Sequence, residues 1–232
     1  RLMKKIFIAC DTDNRNKVNK IIEQTKNKKL NTFYKLGLEF FYSKYGRKFI
    51  KGLNKNIKIW LDLKLNDIPN TVGSSIKSIK DLRNVKYLTL HCSGGLEMMK
   101  AAKKVAKKTN KKLKLIGVTV LTSLNESSIK KIGYDKKIKL ITIKQARLAK
   151  AARLDGIVCS GHEVKYVKKI CKNMEIFVPG IRFNNKSIAD QKRVMSPKIA
   201  FNLGATGIVI GRSITQGNIK KNIQKLIHSL SN

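Results

Sequence analysis

Asp62 and Lys64 carry the first chemical signal in the chain. They close an apolar run that reads as a strand over Ile57–Leu63, and on a strand residues two apart face the same side. If that side is the interior of a closed sheet, an acid and a base stand together in a partly dry site. A buried salt bridge at a strand end would look the same. Lys35, at the end of the preceding predicted strand, separates the two readings, because it completes a Lys–Asp–Lys row. Desolvating three charges costs several kcal/mol per ion even when they are paired, and a scaffold has little reason to bear that cost. The row reads as functional.

Other polar residues fall at predicted strand ends. Asp11 follows the first strand, Thr122 and Ser123 follow the fifth, Pro179 to Arg182 follow the seventh, and Gly211-Arg212 follow the eighth. Taken alone, Thr122 and Ser123 could equally be strand-end caps, and Arg182 a solvated loop charge. Gly211-Arg212 stands where barrels hold phosphate with backbone N–H groups and a helix N-terminus, and an arginine adds a bidentate partner. His91, ending the fourth strand beside Gly94-Gly95, reads as structural and stays outside the site.

The elements that must position these residues alternate along the whole chain. Eight short β-branched runs read as strands: Lys5–Cys10, Thr32–Leu36, Ile57–Leu63, Tyr87–His91, Lys114–Val120, Gly156–Cys159, Glu175–Val178 and Gly207–Ile210. Helical patterns lie at Asn14–Lys26, Glu39–Lys51, Pro69–Leu82, Leu96–Lys108, Ile141–Arg153, Glu163–Cys171, Ser196–Leu203 and Asn218–Leu230. Nearly all-apolar strands alternating with helices indicate a parallel sheet covered by helices. Eight such units in 232 residues predict one α/β domain over residues 1–232, a closed (β/α)8 TIM barrel. No G-x-G-x-x-G follows the first strand, as an open dinucleotide-binding sheet would require. Two long loops, Leu121–Leu140 (with a short helical piece near Ser127–Lys131) and Ile181–Met195, fall on the C-terminal face, where barrel enzymes place their sites.

The stretch Asp62-Leu63-Lys64-Leu65-Asn66-Asp67-Ile68-Pro69-Asn70-Thr71 resembles the D-x-K-x-x-D-I-P-N-T signature of the orotidine 5′-phosphate decarboxylase family. A bare D-x-K-x-x-D is shared by related barrel enzymes, whereas the ten-residue form is specific. The resemblance runs along nearly the whole chain. Ala9-Cys10-Asp11, Lys35-Leu36-Gly37, His91 to Gly95, Val118 to Ser123, Val178 to Arg182, Asp190 to Arg193 and Ile210 to Thr215 keep the family's order and spacing. Cys10, Phe183 and Ser213 depart from the usual Leu, Pro and Pro, and none of these removes a charge.

The resemblance implies decarboxylation of orotidine 5′-monophosphate to UMP, with Lys64 protonating C6 of the pyrimidine. Asp62 and Asp67 would flank Lys64, and flanking carboxylates favour an ammonium. Lys35 would bond a ribose hydroxyl and Asp62, and Asp11 would accept from the ribose. Thr122, Ser123 and Pro179 would meet base and ribose, while Gly211, Arg212, Arg182 and Gln191 would hold phosphate and base beneath a closing loop. The resemblance further implies an enzyme without cofactor or metal, a homodimer in which Asp67 and Thr71 reach the partner's site, and Ile68 among the substrate-binding residues. Sugar-phosphate enzymes sharing the D-x-K-x-x-D strand, such as 3-keto-gulonate 6-phosphate decarboxylase, use Mg²⁺ and carry an acid where this chain has Lys35.

Charge bears on the remaining alternatives. The formal net charge is +37, with 42 Lys against 9 Arg. Nucleic-acid readers favour the arginine fork, and here lysine is spread over every predicted helix beside abundant Asn and Ile. That pattern fits drift in an AT-rich genome, with only weak, salt-sensitive polyanion binding and no specific nucleic-acid partner. Runs such as Lys103-Lys104 and Lys107-Lys108 read as a solvated face. An inactive barrel is disfavoured by the intact charged set at the strand ends. Four scattered cysteines read as reduced thiols without metal-ligand spacing. With no apolar run of membrane-crossing length and no signal-peptide pattern, a soluble, cytoplasmic protein is expected.

Overall fold

The computed structural model describes residues 4–182 and 195–231. Its eight strands, β1 Lys5–Ala9, β2 Asn31–Gly37, β3 Ile59–Leu65, β4 Val85–His91, β5 Lys114–Val118, β6 Gly156–Val158, β7 Glu175–Val178 and β8 Gly207–Ile210, close into one barrel in sequence order. Every neighbouring pair is parallel, including the closing pair of β1 with β8. The expected TIM barrel is the fold.

Between the strands run α1 Arg15–Thr25, α2 Leu38–Tyr42, α3 Gly46–Gly52, α4 Pro69–Ser78, α5 Gly95–Thr109, α6 Glu126–Lys131, α7 Ile138–Ala151, α8 Val164–Ile170, α9 Pro197–Asn202, α10 Arg212–Thr215 and α11 Ile219–Ser231. Local signals start several of them. Asn14 caps α1, its side chain accepting from the N–H groups of Asn16 and Lys17. Pro69 opens α4, where its missing N–H costs nothing. Ser196 caps α9. Alternation along each strand then divides the core in two. Outward residues such as Ile6, Ile8, Leu61 and Leu88 pack under helix residues such as Val18, Ile21, Val72 and Met98.

Inward residues fill the barrel. Phe7, Phe33, Trp60, Tyr87 and Phe177 form an aromatic layer with Ile116 and Val209. Phe7 stands at its centre, 4.4 Å from Phe177 and 4.7 Å from Trp60 between ring centroids. Such pairs add about 0.5–1.5 kcal/mol each beyond area burial. Gly207 makes room for them, since a Cβ there would lie 2.7 Å from Phe7 and 2.9 Å from Phe177. Beneath this layer Glu175 accepts from Lys5 at 2.8 Å, from the Tyr87 hydroxyl at 2.9 Å and from Lys114. The barrel is closed below, so access to its interior lies at the C-terminal mouth.

Three expectations are corrected. The helix predicted over Glu39–Lys51 is two, α2 and α3, because the chain turns at Ser43, whose backbone is extended. Gly46 packs there so tightly on the Phe40 carbonyl that no Cβ would fit. Strand β5 stops at Val118 rather than Val120, and Thr119 reaches Val158 O through its hydroxyl at 3.2 Å and through its N–H only at a long 3.5 Å. Strand β3 runs on to Leu65, past its predicted end. The four-residue α10 is too short to show a helical period and was not foreseen. The loop after β7 has its ends joined, Ile181 bridging to Met195 and Arg182 N–H bonding Met195 O at 3.1 Å. No helix among the described residues is long and apolar enough to cross a membrane.

Candidate active site

The Lys–Asp–Lys row exists. Asp62 Oδ2 lies 3.2 Å from Lys35 Nζ and 2.9 Å from Lys64 Nζ, and Lys35 reaches Asp11 Oδ1 at 3.6 Å. Asp11 just past β1, Lys35 from β2 and Asp62 and Lys64 from β3 thus form one chain of alternating charge around the barrel mouth. Lys35 and Asp62 are largely buried, with side chains 13% and 10% exposed, while Lys64 is 32% exposed. The row therefore has a sheltered inner end and an open outer one.

The route by which Lys64 joins this row differs from a regular strand. Leu61 pairs with Leu88 and Leu65 with Leu90, so Asp62, Leu63 and Lys64 stand against the single residue Thr89. Within this bulge Lys64 adopts φ +48°, a left-handed conformation that costs a non-glycine residue roughly 1–3 kcal/mol. Bulges re-aim side chains near active sites, and this one turns Lys64 back onto Asp62. The Lys64 N–H, drawn out of the ladder, bonds the Thr89 hydroxyl at 3.1 Å, and that hydroxyl lies 2.8 Å from Asp62 Oδ1.

The charges support one another. Burial pushes the Asp62 carboxyl upward, but Lys35, Lys64 and the hydrogen bonds of Lys64 and Thr89 outweigh it and hold its pKa below the ordinary value. Burial pulls Lys35 down, and Asp62 and Asp11 more than restore it, so its pKa is raised. Asp62 is an anion and Lys35 a cation at neutral pH. His91 stands near the row: burial, then the charge of Lys64, lowers its pKa and leaves the imidazole neutral.

A cavity of about 190 Å³ opens onto this row, lined by Lys35, Trp60, Asp62, Lys64, Val118, Val120, Leu121, Thr122, Val158, Cys159, Pro179 and Val209. Its lining is charged on the β2–β3 side and apolar on the β5–β8 side. Thr122 and Pro179 are thus brought to the charged row, as expected. Ser123 is exposed and outside the lining. A larger cavity of about 730 Å³ lies outside the barrel, between α1, β2 and the segment before β3. It holds none of the charged row.

Arg212 begins α10 and lines a second mouth cavity of about 290 Å³ with Asp11, Thr12, Lys17, Thr215 and Gln216. Gly211 lies beside Asp11, since a Cβ on it would be 3.8 Å from Asp11 Oδ2. Asp11 thereby links this cation-bearing cavity to the row. Arg182 is exposed at the base of the loop after β7, and Gln191 lies outside the described residues. Asp67, Ile68 and Thr71 are exposed just past β3. Asp67 accepts from the N–H of Ile68 at 2.7 Å, and among the described residues Lys64 is ion-paired to Asp62 alone.

Thr89 and Trp60 were not singled out from the sequence, and His91, read as structural, stands beside the row but outside the lining of its cavity. Period-two alternation on β4 from the inward Tyr87 would have brought Thr89 and His91 to the interior, and alternation back from Asp62 would have done so for Trp60. A threonine within an apolar strand was the available signal.

The profile of the family described as "Orotidine 5′-phosphate decarboxylase / HUMPS family" matches residues 4–225. The chain is 42% identical over 229 residues to an orotidine 5′-phosphate decarboxylase of Wolbachia sp. subsp. Brugia malayi, covering 97% of this chain and 98% of that one. It is 40% identical over 219 residues to the like-named protein of Carboxydothermus hydrogenoformans, covering 92% and 90%. Among solved structures, the orotidine 5′-phosphate decarboxylase of Lactobacillus acidophilus superposes with TM-score 0.86 at 30% identity, over 99% of this chain and 100% of that one.

Proposed function

The chain belongs to the orotidine 5′-phosphate decarboxylase / HUMPS family, and we propose that its Lys35–Asp62–Lys64 row carries the decarboxylation through Lys64 as acid. The protein is a carboxy-lyase that converts orotidine 5′-monophosphate to UMP and CO2 in pyrimidine biosynthesis. The observation that carries the mechanism is the 2.9 Å contact of Lys64 Nζ with Asp62 Oδ2 at the edge of the mouth cavity.

In this reading the pyrimidine enters that cavity with its C6 carboxylate facing Asp62. Two like charges about 4 Å apart repel by roughly 4 kcal/mol at an effective dielectric near 20. Departure of CO2 relieves the repulsion and leaves an electron pair on C6. Lys64 Nζ then delivers a proton to C6, and the nascent carbanion gains attraction to the ammonium throughout. Asp62, held as an anion, keeps Lys64 in place. The apolar wall of Val118, Val158 and Val209 suits departing CO2.

Lys35 and Asp11 bond the ribose hydroxyls, and Thr122, Ser123 and Pro179 meet base and ribose. Gly211 and Arg212 take the 5′-phosphate, with Arg182 and Gln191 from the loop after β7 closing over phosphate and base. Binding energy from this remote phosphate can be used at C6 as the loop excludes water. Exposed Leu38, Tyr42 and Ile68, on the segments following β2 and β3, support a homodimer in which Asp67 and Thr71 complete the partner's site, and Ile68 binds substrate. The reading includes a cytoplasmic enzyme without cofactor.

Mixing the protein with orotidine 5′-monophosphate and following the loss of orotate absorbance tests the activity. Turnover undiminished by EDTA is expected. Turnover abolished by EDTA and restored by Mg²⁺ would instead favour the metal-dependent sugar-phosphate branch.

A further inference from the structure

Thr89 is the one β4 residue that faces the whole bulge. With Leu61 opposite Leu88 and Leu65 opposite Leu90, Asp62, Leu63 and Lys64 share it as their counterpart. Its side chain is 0% exposed, so water does not serve its hydroxyl. The hydroxyl lies 2.8 Å from Asp62 Oδ1 and accepts from the Lys64 N–H at 3.1 Å. Its approach to the Leu61 carbonyl is longer, 3.4 Å. The single hydroxyl proton therefore goes to the carboxylate.

We infer that Thr89 is a positioning residue for the reaction, fixing the Asp62 carboxylate and the Lys64 backbone together so that Lys64 Nζ is aimed at the reacting carbon. The inference rests on the Asp62–Lys64 reading of the preceding section. Both ammonium groups approach the same carboxylate oxygen, Oδ2, at 3.2 and 2.9 Å. The terminal torsion of an aspartate is broad, so two donors on one oxygen leave the other free to swing. Thr89 holds that other oxygen. Its second bond answers a backbone need, because the bulge removes the Lys64 N–H from the ladder and a buried orphan donor would be costly. One hydroxyl thus holds the carboxylate and supplies the acceptor that the left-handed Lys64 requires.

The test compares Thr89→Ser, which keeps the hydroxyl, with Thr89→Ala, which removes it. Thr89→Ala is expected to lower kcat on the order of 100-fold, as a displacement of about 1 Å does. KM for orotidine 5′-monophosphate should change less than about threefold, since the phosphate grip is untouched. Thr89→Ser should stay within about fivefold of wild type in kcat. A second readout is the acid limb of kcat/KM. Lys35 from β2, Lys64 on β3 and His91 from β4 face Asp62 in every variant, with Asp11, just past β1, on the far side of Lys35. Losing the Thr89 bond therefore moves the limb to higher pH in Thr89→Ala and not in Thr89→Ser.

Equal damage in Ser and Ala variants would mean that the methyl packing matters and would overturn the inference, as would wild-type behaviour of Thr89→Ala. If Thr89→Ala does not fold, Thr89→Val removes the hydroxyl at nearly unchanged volume and supplies the same comparison. The parent reading fails separately. If Lys64→Ala turns over normally, Lys64 is not the acid. If Lys64→Ala is dead and Thr89→Ala is unaffected, only the positioning role is lost.

Discussion

Lys64 Nζ lies 2.9 Å from Asp62 Oδ2, yet the backbone that joins them is a left-handed bulge and not an extended strand. The strain is local, and the contact it creates is the one on which the proposed proton transfer depends. Removing the ammonium should therefore affect chemistry more than fold. Lys64→Ala is expected to lower turnover by roughly 10²–10⁴-fold or more, the range for loss of a general acid. UMP binding and the thermal midpoint should stay near wild type, because the side chain is a third exposed and the phosphate grip is elsewhere. Near-normal turnover in this variant would sink the mechanism.

Arg212 tests the phosphate end proposed for the site. Losing a charge-assisted hydrogen bond costs about 1.5–3 kcal/mol, so Arg212→Ala should reduce kcat/KM by roughly 10- to 150-fold. Guanidinium added in solution should restore part of the rate by occupying the vacated position. Steady-state kinetics indistinguishable from wild type would show that the phosphate site has been misplaced.

In the single chain Asp67 accepts, among the described residues, only from its own Ile68 N–H, and the proposed two-fold assembly, which gives it a role at the partner's site, can be tested without a further structure. Mixing Lys64→Ala with Asp67→Ala, each inactive alone, and allowing subunits to exchange produces mixed dimers. In a mixed dimer one site carries both lesions and the other neither. Random exchange makes half the dimers mixed, so roughly a quarter of wild-type activity should return for an isologous pair. If Asp67 serves its own chain, every site keeps a lesion and activity stays near zero.

Acid should unfold the barrel partly through Glu175 and Asp62. Burial raises both carboxyls, but hydrogen bonds from Lys114 and Lys5 to Glu175, and the charges of Lys35 and Lys64 on Asp62, leave both pKa values lowered. Each then binds a proton less readily folded than unfolded, so acid favours the unfolded chain. Their contribution is complete above the ordinary values of 4.5 and 3.8 and is lost as pH falls through the lowered ones. Glu175→Gln strands Lys5 and Lys114 and should destabilise at neutral pH by about 3 kcal/mol, the lower end for a broken buried pair, because Lys114 is half exposed. Thermal melts against pH should show the variant's deficit shrinking below pH 4.5. A deficit constant down to pH values well below that would refute the pairing.

The barrel, its eight strands and the charged row were legible in the sequence because each rests on a short-range pattern. Alternation placed Asp62 and Lys64 on one side of their strand, and apolar strands between helices required a covered parallel sheet. The ten residues from Asp62 to Thr71 carried the family resemblance without any coordinates. What alternation could not supply was register. The bulge at Asp62–Lys64 arises where β3 meets β4, and the bonds that define it join Thr89 to residues 27 and 25 positions away.

The same is true of Glu175, which read only as the first residue of a strand. It gathers Lys5, Lys114 and Tyr87 beneath the aromatic layer only once β1, β4, β5 and β7 close into a ring. The break between α2 and α3 likewise depends on Gly46 pressing against the Phe40 carbonyl, a contact that a helical periodicity does not record. Sequence determined which faces are buried, since burial follows from the spacing of apolar residues along one segment. Tertiary structure decided which residues stand opposite one another, because that depends on how segments far apart in the chain shift against each other as the barrel closes and its interior fills.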